Sequence, residues 1–191
     1  KEFALRVMNH MREATERWKS ETGIGFALYG TPAESLCYRF ARIDRQRFGI
    51  IKDVTDKGYY TNSYHIDVRE EIDAFEKFEF ENQFQKISLG GAISYVEIPN
   101  MSKNLDALRE MVKFIYENIQ YAEFNTKSDY CHECGFDGEI IVNDDNEWEC
   151  PQCHNKKRSK LTVTRRTCGY LGENFWNTGK TKEIKERVLH L

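Results

Sequence analysis

Four of the six cysteines have the spacing of a metal-binding site. Cys131 pairs with Cys134 and Cys150 with Cys153, with two residues inside each pair and fifteen between the pairs. Two thiolates three positions apart on a tight turn can face one ion, and a second such turn completes a tetrahedron of ligands. This spacing is typical of a zinc ribbon. Because the sequence has no secretory features, reduced thiols are favoured over disulfides.

The zinc ion predicted at these cysteines is structural. Four protein ligands leave no coordination position for water, so the metal would stabilise the fold and would not act as a Lewis acid. Residues 139–149 read as strand, turn and strand, which suits the hairpin between two ligand pairs. His132 and His154 stand beside the pairs and are alternative ligands, although four thiolates already close the site.

A second candidate site lies near the start of the chain. Residues 24–29 resemble a buried strand, and Gly30 precedes a helix start with Thr31 as N-cap, Pro32 in the first turn and Glu34 completing a capping box. A glycine between a strand and a helix N-terminus can bind phosphate, because free N–H groups and the positive end of the helix dipole converge there. Most capped helices bind nothing, so capping alone remains the simpler interpretation.

Two helices are predicted from apolar periodicity. Apolar side chains recur at three- and four-residue steps over residues 1–19, and Gly23 should end this helix. The same pattern over residues 105–119 predicts a helix capped by Ser102 or Asn104.

Strand patterns alternate with these helices. Residues 58–66 and 92–98 read as strands, and residues 68–84 as acidic helix whose glutamates should face solvent. His65 is a candidate acid or base, although a strand histidine is more often a hydrogen-bonded core residue. The alternation indicates an α/β unit with parallel strands, and the zinc hairpin is appended at residues 129–164.

Composition excludes several classes of protein. The 191 residues carry 28 Lys and Arg against 31 Asp and Glu, a formal charge of −3, so there is no chain-wide basic field for nucleic acid or an anionic membrane. No apolar run approaches the roughly 18 residues of a membrane helix. Aromatic residues make up 13% of the chain and exclude general disorder. The first residue is not Met and lies inside a predicted helix, so we expect a piece of a longer protein.

A local basic run follows the ribbon and could contact nucleic acid, although a solvated or scaffold-facing edge is the simpler interpretation. It consists of Lys156, Lys157, Arg158, Lys160, Arg165 and Arg166.

The most specific motif comes directly after the ribbon. Residues 165–172 read Arg-Arg-Thr-Cys-Gly-Tyr-Leu-Gly, in which Gly169 and Gly172 permit left-handed dihedrals or a close backbone approach. This motif resembles the glycyl-radical region of class III anaerobic ribonucleoside-triphosphate reductases. The likeness extends to residues 30–35 and 59–65 and to the first cysteine pair, and it covers essentially the whole chain.

The resemblance implies an α/β fold in three parts. Residues 1–128 would be the C-terminal part of a ribonucleotide-reductase-type α/β barrel, and residues 129–164 the zinc ribbon. Residues 165–191 would form the glycyl-radical loop and a C-terminal helix.

The resemblance also implies a radical mechanism. A separate radical-SAM activase, using S-adenosylmethionine and an iron–sulfur cluster, would remove one α-hydrogen of Gly169. Glycine suits this role because it has no Cβ to resist flattening of the radical centre. In the family the stored radical generates a cysteine thiyl, which abstracts the ribose 3′-hydrogen of a ribonucleoside triphosphate. The 2′-hydroxyl leaves as water, and formate or a thiol system supplies electrons.

Other expectations concern the rest of the enzyme and the two remaining cysteines. The family's thiyl cysteine and nucleotide-effector region lie upstream of this chain, so we expect the fragment alone to be inactive. Cys37 suits core packing, and Cys168 could either exchange hydrogen with Gly169 or only pack. A cytoplasmic homodimer is expected, without membrane or direct nucleic-acid contact. The candidate contacts to substrate phosphates are Thr31, Pro32, Ala33, Glu34 and Ser35.

Two alternative functions remain open. One is another glycyl radical enzyme, against which the zinc ribbon argues. The other is a non-enzymatic zinc ribbon that binds nucleic acid through its basic run.

Overall fold

The structure is a computed structural model that describes residues 1–30, 36–167, 170–173 and 176–190. In these parts of the chain, no helix is both long enough and apolar enough to cross a bilayer.

The first helix, α1 (Glu2–Thr22), confirms the predicted periodicity. It ends at Gly23, whose φ of 70° is the left-handed conformation and whose N–H donates to the Lys19 carbonyl at 2.9 Å. The predicted buried strand at residues 24–29 is wrong. Ile24 is exposed, and the segment makes one parallel bridge, between Tyr29 and Gly91. No described strand lies along it to provide the pairing that a buried strand needs.

Helix α2 (Leu36–Phe48) leads into an irregular segment, residues 49–73. The strand predicted at residues 58–66 is wrong: the segment is irregular, and its tyrosines bind side chains of other elements. The Tyr59 hydroxyl lies 2.5 Å from Glu186 Oε2, and the Tyr60 hydroxyl donates to Asp44.

A parallel β-α-β unit follows. Helix α3 (Ala74–Gln85), capped by the Asp73 carboxylate, precedes β1 (Ser94–Glu97), α4 (Leu105–Asn118) and β2 (Ala122–Asn125). The predicted cap Asn104 accepts from the Ala107 N–H. Strands β1 and β2 pair in parallel, as the alternation predicted. Their shared core consists of Ala74, Phe78, Val96, Ile98, Met111 and Ile119.

The ribbon is built from short antiparallel strands. Strand β3 (Asp129–Cys131) pairs with β4 (Asp137–Gly138) and with β7 (Leu161–Thr162), which follows a 3-10 helix (Arg158–Lys160). Strands β5 (Ile141–Val142) and β6 (Trp148–Glu149) form the hairpin predicted between the cysteine pairs. The ribbon core consists of Cys131, Ile140, Trp148, Cys150, Leu161, Val163 and Ile184.

The described chain closes with a hairpin and a helix. Strands β8 (Thr164–Thr167) and β9 (Tyr170–Glu173) pair antiparallel and together form what we call the C-terminal hairpin. Helix α5 (Thr178–Lys185) is capped by Asn177 and contributes Ile184 to the ribbon core. The following tail returns to the α/β unit, where the His190 N–H donates to the Glu97 carbonyl at 2.9 Å.

Candidate functional site

The four ribbon thiols have the geometry of a tetrahedral metal site. The sulfurs of Cys131 and Cys153 lie 3.7 Å apart, as do those of Cys134 and Cys150, and all four lie within 4.8 Å of one another. A zinc ion with Zn–S bonds of about 2.3 Å has tetrahedral edges of about 3.8 Å. The described donor set therefore fits zinc, as the spacing predicted.

Local backbone conformation turns each cysteine pair toward this point. Gly135 adopts φ 76°, and its N–H donates to the Cys131 carbonyl at 2.9 Å. In the second pair, His154 adopts φ 58° and donates to the Cys150 carbonyl at the same distance. Burial acts to raise the pKa of Cys131, but the backbone N–H groups of Cys134 and Glu133 lower it to about 6. Burial and contact with the other thiols raise the pKa of Cys134 and Cys153, so a bound metal would be what holds all four groups as thiolates.

The two neighbouring histidines contact other groups. His132 Nε2 lies 2.8 Å from Thr162 Oγ1, and His154 Nδ1 lies 2.7 Å from Glu149 Oε1. Neither histidine belongs to the four-thiol group, so the candidate metal ligands among the described residues are the four sulfurs.

Several members of the basic run are paired with acidic residues. The two buried or half-buried arginines, Arg165 and Arg166, bind carboxylates of the protein itself. These pairs neutralise much of the positive charge that a nucleic-acid contact would use. The exposed pairs are Lys156 with Glu147 at 3.1 Å and Lys160 with Glu133 at 3.9 Å.

Consecutive arginines on β8 point to opposite sides of the C-terminal hairpin, as strand geometry requires. The Arg165 guanidinium is buried against the ribbon, where its Nη2 donates to Asp129 Oδ2 at 2.7 Å and to the Ile140 carbonyl at 3.0 Å. On the other side, Arg166 Nη1 lies 2.5 Å from Glu123 Oε2 on β2. The C-terminal hairpin is therefore tied to the ribbon and to the parallel sheet.

A cavity of about 70 Å³ lies where the hairpin meets the α/β unit. Among the side chains that line it are His65, Lys77, Tyr95, Glu97, Arg166 and His190.

Beside this cavity, the prediction that the glutamates of residues 68–84 face solvent is wrong for Glu81, which is fully buried. Its Oε1 lies 2.5 Å from Lys77 Nζ and 3.2 Å from His65 Nδ1. Burial alone would raise the pKa of Glu81, but His65 and Lys77 lower it to about 2. The i,i+4 spacing of Lys77 and Glu81 is a local signal for the first contact, but nothing local indicated the second, because His65 comes from the irregular segment before the helix.

The remaining candidate residues have different outcomes. Cys37 is buried, and its sulfur lies 3.9 Å from Asn62 Oδ1. Residues 31–35, Cys168 and Gly169 lie outside the described residues, so their predicted roles stay predictions. The residues on either side of positions 168–169 are described, and Thr167 pairs with Tyr170 across the hairpin.

One set of buried polar contacts was missed by sequence reasoning. Arg187, in the tail after α5, contacts Glu97, Glu183 and the backbone of β8. Glu183 lies four positions before Arg187, a local spacing, but the acceptors on β1 and β8 lie up to 90 positions away and no local pattern indicated them.

Fold and site together define a mixed α/β protein with a four-cysteine ribbon that could hold a metal ion. The family model for anaerobic ribonucleoside-triphosphate reductase matches residues 1–190. The chain therefore belongs to the anaerobic ribonucleoside-triphosphate reductase family, as the motifs predicted.

Curated relatives agree along the whole chain. The chain is 45% identical to the anaerobic ribonucleoside-triphosphate reductase of Haemophilus influenzae, and the match covers 100% of this chain and 27% of the relative. Identity to the Escherichia coli enzyme is 44%, with coverage of 98% and 26%. Identity to the enzyme of Enterobacteria phage T4 is 41%, with coverage of 100% and 32%. The chain thus spans between about a quarter and a third of the length of these relatives.

Solved structures give the same family. An anaerobic ribonucleotide reductase superposes with a TM-score of 0.68 at 25% identity, covering 96% of this chain and 28% of that one. The Thermotoga maritima anaerobic ribonucleotide reductase, solved with MES in the active site, has a TM-score of 0.64 at 27% identity, with coverage of 87% and 26%.

Proposed function

We propose that this chain is the C-terminal part of the catalytic subunit of an enzyme that reduces ribonucleoside triphosphates to deoxyribonucleoside triphosphates without oxygen. The observation that carries the proposal is 45% identity over the whole chain to a reductase of that name. A separate nucleic-acid-binding function is less well supported, because the basic run is largely engaged in ion pairs.

Gly169 is proposed as the residue that stores the radical. The support is its motif, together with the paired strands that flank it and are held from both sides. A radical at a glycine Cα is delocalised over the neighbouring amides when the centre is planar, and no Cβ hinders that change. The partner that removes the α-hydrogen would be a radical-SAM activase carrying an iron–sulfur cluster and S-adenosylmethionine.

The rest of the reaction needs parts outside this chain. A thiyl on an upstream cysteine would abstract the ribose 3′-hydrogen, the 2′-hydroxyl would leave as water, and formate or a thiol would supply the electrons. Residues 31–35 are proposed to contact the substrate phosphates, between the described Gly30 and the start of α2. The described parallel strands would belong to a larger α/β barrel, and the enzyme would act as a cytoplasmic homodimer.

The ribbon is proposed to bind one structural zinc ion through its four thiolates. Its core includes Ile184 of α5, so metal binding would stabilise the ribbon and the helix that follows the hairpin together. When bound, zinc supplies coordination energy and no open position for chemistry.

The radical assignment is tested by electron paramagnetic resonance of the full-length enzyme after anaerobic activation. Wild type should show the doublet that arises from the one remaining α-hydrogen of a glycyl radical, and Gly169→Ala should not. A matched control is Gly25→Ala, since a Cβ there meets nothing within 4 Å. Zinc content should be the same in all three proteins. A doublet that persists in Gly169→Ala would contradict the assignment.

A further inference from the structure

Two arginines join the C-terminal hairpin to the parallel α/β unit. Arg166 lies on β8, and Arg187 lies in the tail directly after α5. We call this pair the arginine clamp.

Arg187 contacts three elements at once. Its Nη1 donates to Glu97 Oε1 on β1 at 3.0 Å and to the Arg166 carbonyl on β8 at 3.0 Å. The other side of the guanidinium donates to the Glu183 carboxylate on α5, from Nε at 3.1 Å and from Nη2 at 3.3 Å. A planar guanidinium can satisfy these acceptors together because its five N–H groups have fixed directions, which a lysine ammonium cannot reproduce.

Burial makes this arrangement stiff. The Arg187 and Glu97 side chains are each 8% exposed, and that of Glu183 is 9% exposed. Burial opposes ionisation of Glu183, but Arg187 and Lys180 hold its pKa below the ordinary value, so the pair stays charged. Removing one member of a buried ion pair leaves the other charge uncompensated, so the contact strongly resists displacement.

Arg166 supplies the second point of attachment. Its side chain binds Glu123 on β2 while its carbonyl accepts from Arg187, so this one residue connects β8 to β2 and, through Arg187, to β1. Two separated attachments fix the orientation of a hairpin as well as its distance from the sheet. Arg166 is also adjacent in sequence to Thr167, the last described residue before the gap at residues 168–169.

We propose that Arg166 and Arg187 are positioning residues, which hold the C-terminal hairpin against the sheet so that the radical can pass from residue 169 to the thiyl cysteine. This inference rests on the proposed function of Gly169. In that step the cysteine S–H bond breaks and a Cα–H bond forms at the glycine. The hydrogen atom moves from sulfur to Cα, and the unpaired electron is left on sulfur. Hydrogen transfer between fixed groups is sensitive to distance, and a displacement of about 1 Å can cost about 100-fold in rate.

The experiment compares radical content with turnover in the full-length, activated enzyme. Spin quantitation gives radicals per chain, and steady-state assays give kcat per radical and KM for a ribonucleoside triphosphate. In Arg187→Gln and Arg166→Gln, we expect radical content and KM near wild type and a fall in kcat per radical of about 10- to 100-fold. Arg187→Lys should recover only part of this loss, since it keeps the charge and loses the fork.

Control measurements separate positioning from folding. Arg109→Gln removes an exposed arginine, 74% accessible and paired with Asp106, and should leave kcat per radical unchanged. Arg187→Lys is the variant that retains a buried charge, so it keeps the test informative if Arg187→Gln loses zinc or fails to fold.

The outcomes for the clamp and for the radical site are distinct. If Arg187→Lys and Arg166→Gln both have the same kcat per radical as wild type, the inference of an arginine clamp is wrong. A loss of activity caused only by fewer radicals, or by a raised KM, would overturn it as well. If Gly169→Ala keeps the doublet, the proposed radical site fails and the clamp inference falls with it. If the doublet depends on Gly169 and clamp variants turn over normally, only the clamp is wrong.

Discussion

Asp129 is the residue whose substitution should affect the ribbon most sharply apart from the cysteines. Its carboxylate is buried and accepts four hydrogen bonds, two on each oxygen. Nη1 and Nη2 of Arg165 donate to it, as do the backbone N–H groups of Ile140 and Thr164. In Asp129→Asn the new amide NH2 would face two of these donors, and the buried guanidinium would lose its counter-charge.

The magnitude follows from that loss. Breaking a buried ion pair by removing one partner costs about 3–5 kcal/mol. At 1.4 kcal/mol for each factor of ten, this corresponds to an increase of about 10²- to 10⁴-fold in the population of the opened ribbon. If zinc leaves through local opening of the ribbon, its release should accelerate by a similar factor.

Zinc release from the full-length enzyme into excess chelator, followed with a coloured indicator, measures this acceleration. The matched control is Asp106→Asn, which removes an exposed partner of Arg109 and should change the rate less than about threefold. Adding Arg165→Met to Asp129→Asn should slow release relative to Asp129→Asn alone, since the unpaired guanidinium is gone. A release rate for Asp129→Asn within about threefold of wild type would refute the reasoning.

Three further predictions concern the metal, a close helix contact and pH. Cys150→Ser should abolish stoichiometric zinc binding in elemental analysis, and unchanged zinc content would contradict the four-thiolate site. Gly179→Ala should lower the free energy of unfolding by about 1–3 kcal/mol despite the better helix propensity of alanine, because the new Cβ would lie 2.2 Å from the Tyr38 ring. Urea unfolding measures this, with Gly25→Ala as the control variant. Equal urea midpoints for the two variants would argue against the prediction. Burial lowers the pKa of His190 from 6.5 to about 4, so the unfolded chain binds the proton more readily than the folded one. The free energy of unfolding should therefore fall as the pH drops from about 6.5 to 4, by at most about 1.4 kcal/mol per pH unit. His190→Asn should flatten that profile in urea midpoints measured across this range, and an unchanged slope would contradict the assignment.

Local signals in the sequence predicted local structure well. Gly23 and Asn104 mark helix ends because each acts through its own backbone or side chain on neighbouring residues. The cysteine spacing predicted the ribbon hairpin for the same reason, since two tight turns and one short hairpin are enough to gather four thiols. Motif resemblance then predicted the family, which the match over residues 1–190 confirms.

Long-range polar contacts were not predictable from local patterns. Residues 58–66 have strong strand propensity, yet Tyr59 binds a glutamate 127 positions away and the segment is irregular. Glu81 lies on an acidic helix that looked solvated; its pair with Lys77 has the local i,i+4 spacing, but its contact with His65 comes from outside the helix. The contacts of Arg187 with β1 and β8 have the same origin, because their acceptors lie up to 90 positions away.

The central claim is that the radical resides at Gly169, between the paired strands of the C-terminal hairpin. Intact mass of the activated full-length enzyme after exposure to air tests it most directly. The spectrum must be taken under denaturing conditions, because β9 and the tail contact the rest of the chain and would retain a cleaved peptide. Cleavage at residue 169 that depends on prior activation, releasing a peptide that starts near Tyr170, is the expected result. An intact chain, or a cut elsewhere, would contradict the account.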